Sequence, residues 1–134
     1  MQPFEDVDVL DLTQSIAGPV CTQMLTALGA NVVKVEPPKG DAFRGLSQGA
    51  MFAAFNHGPK RSLSVDLKSE EGSALVRDLA ERADVLVESF RPGVLEQFDP
   101  DYDSVSAANE GVVYCSITGF GQEGPYSEIG RAHV

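Results

Sequence analysis

An α/β fold, part of a doubly wound, Rossmann-like parallel sheet with flanking helices, is the class this sequence predicts. Three observations predict it. Short apolar runs rich in valine and leucine alternate with amphipathic runs of helical period. The intervening runs provide crossovers, which make successive strands parallel and place helices on both faces. No internal repeat, linker or low-complexity tract interrupts the 134 residues, a length suited to about one domain.

Each element follows in order. "VDVLDLT" (7–13) reads as a buried strand. "AGPVCTQMLTALGA" (17–30) reads as a helix, with Pro19 suited to its first turn and Gly29 to its end. Val20, Met24, Leu25 and Leu28 give that helix an apolar stripe of 3.6 period. "NVVKVEP" (31–37) is the second strand, stopped by Pro37 and Pro38. "PKGDAFRGLSQGA" is a glycine-rich loop, and "MFAAFN" a short helix. "RSLSVDLK" (61–68) alternates apolar and polar residues, as a strand near a sheet edge does. "SEEGSALVRDLAERA" (69–83) is the clearest helix: Ser69 caps it, Glu70 and Glu71 suit its positive end, and Leu75, Val76, Leu79 and Ala83 form its buried stripe. "DVLVES" (84–89) is a strand, "RPGVLEQF" a short helix, "DYDSVSAANE" helical, and "GVVYCSIT" (111–118) the last strand.

In open parallel sheets ligands bind beyond the carboxyl ends of the strands. Four places qualify: "SIAGP", "EPPKG", "ESFRPG" and "TGFGQEG". The last contains G-x-G-x-x-G, formed by Gly119, Gly121 and Gly124. A dinucleotide fingerprint requires a helix directly after the glycines and an acidic residue roughly 20 positions later. Here "PYSE" follows, and the first strand–helix turn carries a single glycine, so a nicotinamide cofactor is not expected.

Composition narrows the rest. Hydrophobic residues make up 43% of the chain, enough for a substantial core. The net charge of −10 argues against a nucleic-acid partner and requires any anionic ligand to find a local basic cluster. No apolar stretch is long enough to span a membrane, and "MQPFEDVDV" lacks a secretory pattern, so a cytoplasmic location is expected. Cys21 and Cys115 have no metal or C-x-x-C spacing and are read as buried free thiols; His57 and His133 lack ligand-like partners, and no metal site is expected.

Taken together and in order, "VLDLTQSIAGP", "LGANVVKVEPPKGD", "KRSLSVDLKSEEG", "ADVLVESFRPGVLE" and "VVYCSITGFGQEGPY" resemble the family III CoA-transferases, which include formyl-CoA and carnitine-CoA transferases and 2-methylacyl-CoA racemases. The resemblance runs from Val7 to Tyr126. It implies coenzyme A or acyl-CoA as substrate rather than as a permanently bound cofactor, a carboxylic acid acceptor, and an interlocked homodimer of longer chains. By family position, Ile16 and Ala17 lie near the pantetheine or acyl end, Val65, Asp66, Leu67 and Lys68 along the nucleotide, and Ser89, Phe90 and Arg91 beside the adenine or phosphates.

The residues themselves agree in part. The phosphates of CoA call for cations, and Lys60, Arg61, Lys68 and Arg91 are candidates, since charge-assisted contacts are about twice as strong as neutral ones. Plainer alternatives stand beside each: Lys68 pairing with the helix glutamates, Lys60 and Arg61 in a solvated loop, Asp66 serving only its turn, Phe90 packing in the core. Two departures count against formyl or oxalyl transfer: Ile16 stands where formyl-CoA transferases have glutamine, and Pro37 where they have arginine.

The resemblance also implies where chemistry lies. Family transferases attack the thioester with an aspartate, and the racemases move an α-proton with a His–Asp pair. Both sets fall beyond the glycine loop, so no catalytic residue is expected within residues 1–134, and His133 does not match the racemase pattern. "IGRAHV" is what ATC GGA AGA GCA CAC GTC encodes, a run found in a sequencing adapter. The expectation is therefore that residues 1–128 are the N-terminal part of the large CoA-transferase domain and 129–134 a non-native tail. Such a piece alone is expected to be inactive and poorly soluble. The runners-up are a racemase fragment and a non-catalytic CoA-binding module.

Overall fold

The computed structural model describes residues 1–129; His133, and the expected tail apart from Ile129, lie outside the described residues. The apolar runs form five parallel strands: β1 (Asp8–Leu12), β2 (Asn31–Glu36), β3 (Arg61–Ser64), β4 (Val85–Glu88) and β5 (Val113–Ser116). Their order in the sheet is β3-β2-β1-β4-β5. Val9 lies opposite both Val32 and Val85, and Asp11 opposite Lys34 and Val87. The helices are α1 (Ala17–Ala27), α2 (Ala50–Phe55), α3 (Glu70–Ala80) and α4 (Tyr102–Ala108), with 3₁₀ turns at Ala42–Gly49 and Leu95–Gln97.

Alternation along β1 sorts the core into two layers. Leu10 and Leu12 join Val35, Leu86, Val76, Ala80 and Val105 on the face covered by α3 and α4. Val9, Val32 and Val87 pack on the other face with Cys21 and Leu25 of α1. Helix α3 begins where Ser69 Oγ accepts the Gly72 amide at 3.0 Å, with Glu70 and Glu71 in its first turn. Helix α4 begins in the same way, Asp101 accepting the Ser104 amide at 2.8 Å.

Four expectations are corrected. The buried stripe of α1 is Gly18, Pro19, Thr22 and Thr26, whereas Met24 and Leu28 are exposed. Small and hydroxyl residues win that face because the sheet beneath carries a charged side chain, Asp11, that needs hydrogen-bond donors. Leu75 on α3 is exposed, and Gly72 and Ala80 are buried in its place. The third strand stops at Ser64, four residues short of Lys68. Asp66 ends it: its carboxylate accepts the Lys68 amide at 3.0 Å, and its carbonyl accepts the Ser69 amide at 3.1 Å, closing a turn that keeps both amides and that carbonyl from a strand ladder. Cys21 and Cys115 are free thiols, each half-buried rather than fully so; burial pushes the Cys21 thiol up, and nearby Cys115 and Asp11 add to it.

That turn fixes the start of α3 tightly. A Cβ on Gly72 would stand 2.0 Å from the Asp66 carbonyl oxygen. Gly72→Ala is expected to cost about 1–3 kcal/mol through overpacking, measured as a lower urea midpoint. An unchanged midpoint would show that α3 shifts freely against the turn.

Candidate functional site at the carboxyl edge

From β1 the chain winds to β2 and β3 on one side, then to β4 and β5 on the other, so the winding reverses between β1 and β4. Crevices at such a reversal are where open α/β sheets seat ligands. The loops leaving the two strands are tied there, the Gln14 amide donating to Ser89 Oγ at 2.9 Å. Ser15, next in the loop, has a left-handed backbone with φ 68°.

Beside this crevice lies a cavity of about 160 Å³. Val65, Asp66, Leu67 and Lys68 form one wall, Phe90 and Phe98 another, and Leu12, Gln14, Val35, Glu36 and Pro37 close the rest. Five of the residues named by family position, from two distant segments, line this one cavity. Arg91 follows Phe90 and is exposed; Ile16 and Ala17, also exposed, begin α1 on the same edge outside the cavity wall.

Beneath the edge lies a layer of buried charge. Asp11 accepts the hydroxyls of Thr13 at 2.5 Å and Thr22 at 2.6 Å, and pairs with Lys60 Nζ at 3.4 Å. Gly18 lets α1 approach so closely that a Cβ there would stand 2.2 Å from the Thr13 side chain. Lys34 donates to the Thr13 carbonyl at 2.6 Å and pairs with Asp41 at 3.3 Å. Glu36 accepts both Arg44 Nε at 2.6 Å and Nη2 at 2.7 Å, the Ser62 hydroxyl at 2.7 Å and the Asp41 amide at 2.9 Å. Burial alone would push the Glu36 carboxyl up; the hydrogen bonds from Arg44, Ser62 and Asp41, with the Arg44 charge, outweigh it and hold the group at about 2. The Arg44 guanidinium also sits over the Phe52 ring, 3.7 Å from its centroid.

Of the four candidate phosphate ligands only Lys68 lines the cavity; Arg91 lies just outside its wall, and Lys60 and Arg61 are held elsewhere. Lys60 is buried, its side chain 3% exposed, and its ammonium also donates to the Pro19 carbonyl and to Asn56 Oδ1, each at 3.0 Å. Burial pushes this ammonium down and the Lys34 charge adds to that, while Asp11 opposes both. Arg61 lies at the amino end of β3, the far end of the sheet, where its Nη2 donates to Asn31 Oδ1 at 2.6 Å. Lys60 precedes the strand and its side chain runs to Asp11, whereas Arg61 begins the strand and is held by Asn31, which separates the two side chains.

The glycine segment after β5 runs as turns through Ile129, with no helix to receive a pyrophosphate. Phe120 and Tyr126 stand exposed on it, ring centroids 5.7 Å apart. Among the described residues no helix is long and apolar enough to cross a membrane, and no group of three or more His, Cys, Asp or Glu is placed to hold a metal ion.

The profile of CoA-transferase family III matches residues 4–131. This chain belongs to CoA-transferase family III. Curated relatives include a Haloarcula hispanica protein named succinyl-CoA:mesaconate CoA-transferase (44% identical, covering 90% of this chain and 33% of its own length). Another is the succinate–glutarate CoA-transferase of Agrobacterium fabrum (42%, covering 95% and 35%). A crystal structure of Rv3272 from Mycobacterium tuberculosis superposes with a TM-score of 0.91 at 38% identity, covering 96% of this chain and 36% of that one. A CAIB/BAIF family protein from Brucella suis gives 0.88 at 42%. The chain thus spans about a third of the length of these relatives.

The family III sheet here rests on side chains that the sequence reading did not single out: Asp11, Lys34, Asp41 and Arg44 in the charged layer, and Gln14, Glu36 and Phe98 in the cavity wall. A signal existed for Asp11, Lys34 and Glu36, which interrupt otherwise apolar strand runs; Phe98 carried none. Removing Lys60 leaves Asp11 without its cation. Lys60→Met is expected to cost about 3–5 kcal/mol in unfolding free energy; a loss under about 1 kcal/mol would show a pair no stronger than a surface one. The depressed Glu36 group contributes stability that is present above its ordinary value of 4.5 and lost as the pH falls through about 2. Glu36→Gln should therefore be less stable than the parent at neutral pH and approach it as the solution is acidified, read by urea unfolding across that range. A gap that stays constant with pH would contradict this.

Proposed function

We propose that this chain forms the coenzyme A-binding part of an acyl-CoA:carboxylate CoA-transferase. The observation that carries the reading is identity of about 40%, over nearly the whole chain, to relatives whose names describe transfer of CoA between carboxylic acids. Several of those names specify succinyl-CoA or succinate, which makes succinyl-CoA the donor to try first.

The carboxyl edge supports it. Nine described lysines and arginines are present, and four of them, Lys34, Arg44, Lys60 and Arg77, are in ion pairs. Of the other five, Lys39, Lys68 and Arg91 all stand on loops at the carboxyl edge. In a chain of net charge −10 these are the groups on that edge able to meet the phosphates of CoA. Val65–Lys68 receives the nucleotide, Ser89–Arg91 flanks the adenine and phosphates, and Ile16 and Ala17 lie toward the pantetheine and acyl end. Lys60 and Arg61 are left out, because one is buried against Asp11 and the other is at the opposite edge. The attacking carboxylate comes from outside residues 1–134. The working enzyme is a cytoplasmic homodimer that holds CoA as substrate, with no permanent cofactor.

The test is the full-length gene product given succinyl-CoA and a panel of dicarboxylates, with thioesters separated by chromatography and mass spectrometry. A new thioester formed in step with succinate release is expected. Arg91→Ala should raise KM for the thioester by roughly tenfold with little change in kcat, as loss of one charge-assisted contact does. Exchange of the α-proton of a 2-methylacyl-CoA without transfer would instead mark a racemase, and CoA binding without either reaction a binding module.

A further inference from the structure

Among the described residues, the remaining two cations outside ion pairs are not at the carboxyl edge. Arg61, from the start of β3, and Arg82, just past α3, both line a second depression of about 230 Å³ at the amino edge of the sheet. Its walls are largely apolar: Leu10 and Val33 from the strands, Leu79 and Ala83 from the helix side. Asp8 also lines it, but its carboxylate already accepts Asn31 Nδ2 at 2.6 Å. Asn31 Oδ1 in turn accepts Arg61 Nη2 at 2.6 Å, which orients the guanidinium and leaves its other N–H groups available. Among the lining residues two arginines stand against one carboxylate, Asp8, whose backbone amide donates to the neighbouring Asp84 carboxylate at 2.8 Å.

We propose that this amino-edge pocket is a binding site for a small carboxylate with an apolar body, such as a short alkanoic acid. The body would lie against Leu10, Val33, Leu79 and Ala83, and the carboxylate would meet Arg61 and Arg82, whose planar forks match it in bidentate fashion. The volume lies below the roughly 300–1,000 Å³ of sites for drug-sized ligands, which limits the occupant to a small molecule. The site is separate from the cavity at the carboxyl edge and stands whether or not the transferase reading holds.

The experiment uses the full-length protein with hexanoate as probe, followed by ligand-observed NMR titration. Saturable binding is expected. Arg61→Gln and Arg82→Gln should each weaken it by roughly tenfold, while Arg91→Ala, at the opposite edge, leaves it unchanged, as does saturating CoA. Hexanol, which keeps the body and loses the charge, should bind much more weakly. Arg82 is exposed, so Arg82→Gln keeps the parent's unfolding midpoint and decides the matter if Arg61→Gln does not fold. The proposal is overturned if hexanoate fails to bind, if Arg82→Gln binds it as well as the parent, if CoA or Arg91→Ala abolishes binding, or if inorganic phosphate binds equally well, which would reduce the pocket to a cationic patch.

Discussion

Asp11 is buried in the middle strand, and the carboxyl edge of this sheet depends on what neutralises it. An unpaired carboxylate there would carry a desolvation penalty of several kcal/mol. Thr13 and Thr22 supply hydroxyl donors and Lys60 the opposite charge. Each of those partners belongs to a different segment: the loop after β1, helix α1, and the chain entering β3. Satisfying one carboxylate therefore fixes three segments against one another.

The same logic repeats outward. Lys34 and Asp41 form a second buried pair, and buried Glu36 pairs with the half-exposed Arg44, so the layer holds three anions and three cations. Glu36 grips the loop that follows its own strand, and Arg44 in turn stacks on Phe52 of α2. The loops that border the crevice are thus tied down from beneath by charge-assisted bonds, leaving their outer surfaces to a ligand. The internal use of Lys34, Arg44 and Lys60 also leaves few cations for external work, which gives weight to where the remaining ones stand.

Strand and helix order was readable in the chain because the strand runs are largely apolar and alternate with helical periods, and because α3 carries a cap, Ser69, that bonds as such a residue does. The parallel sheet and the family followed from the same runs. What was not readable lies where polar chemistry replaces hydrophobic pattern. Helix α1 turns Gly18, Pro19, Thr22 and Thr26 inward because Asp11 needs donors and close approach, and this leaves Met24 outside. The third strand stops at Ser64 because the Asp66 side chain bonds to its own turn. Of the cavity wall, Val65–Lys68 and Phe90 had been named from family position alone. Phe98 could not be placed, since its arrival depends on how the 3₁₀ turn at Leu95–Gln97 folds back over the sheet. Lys60 and Arg61 are neighbours in sequence, yet one is drawn under α1 by Asp11 and the other remains at the amino edge with Asn31.

Where coenzyme A sits is the central claim, and hydrogen–deuterium exchange on the full-length protein, with and without CoA, tests it most directly. The account predicts added protection at Thr13–Ala17, Val65–Lys68 and Ser89–Arg91, with Arg61 and Arg82 unaffected. Protection confined to the amino edge, or none at Val65–Lys68 and Ser89–Arg91 under saturating CoA, would contradict it.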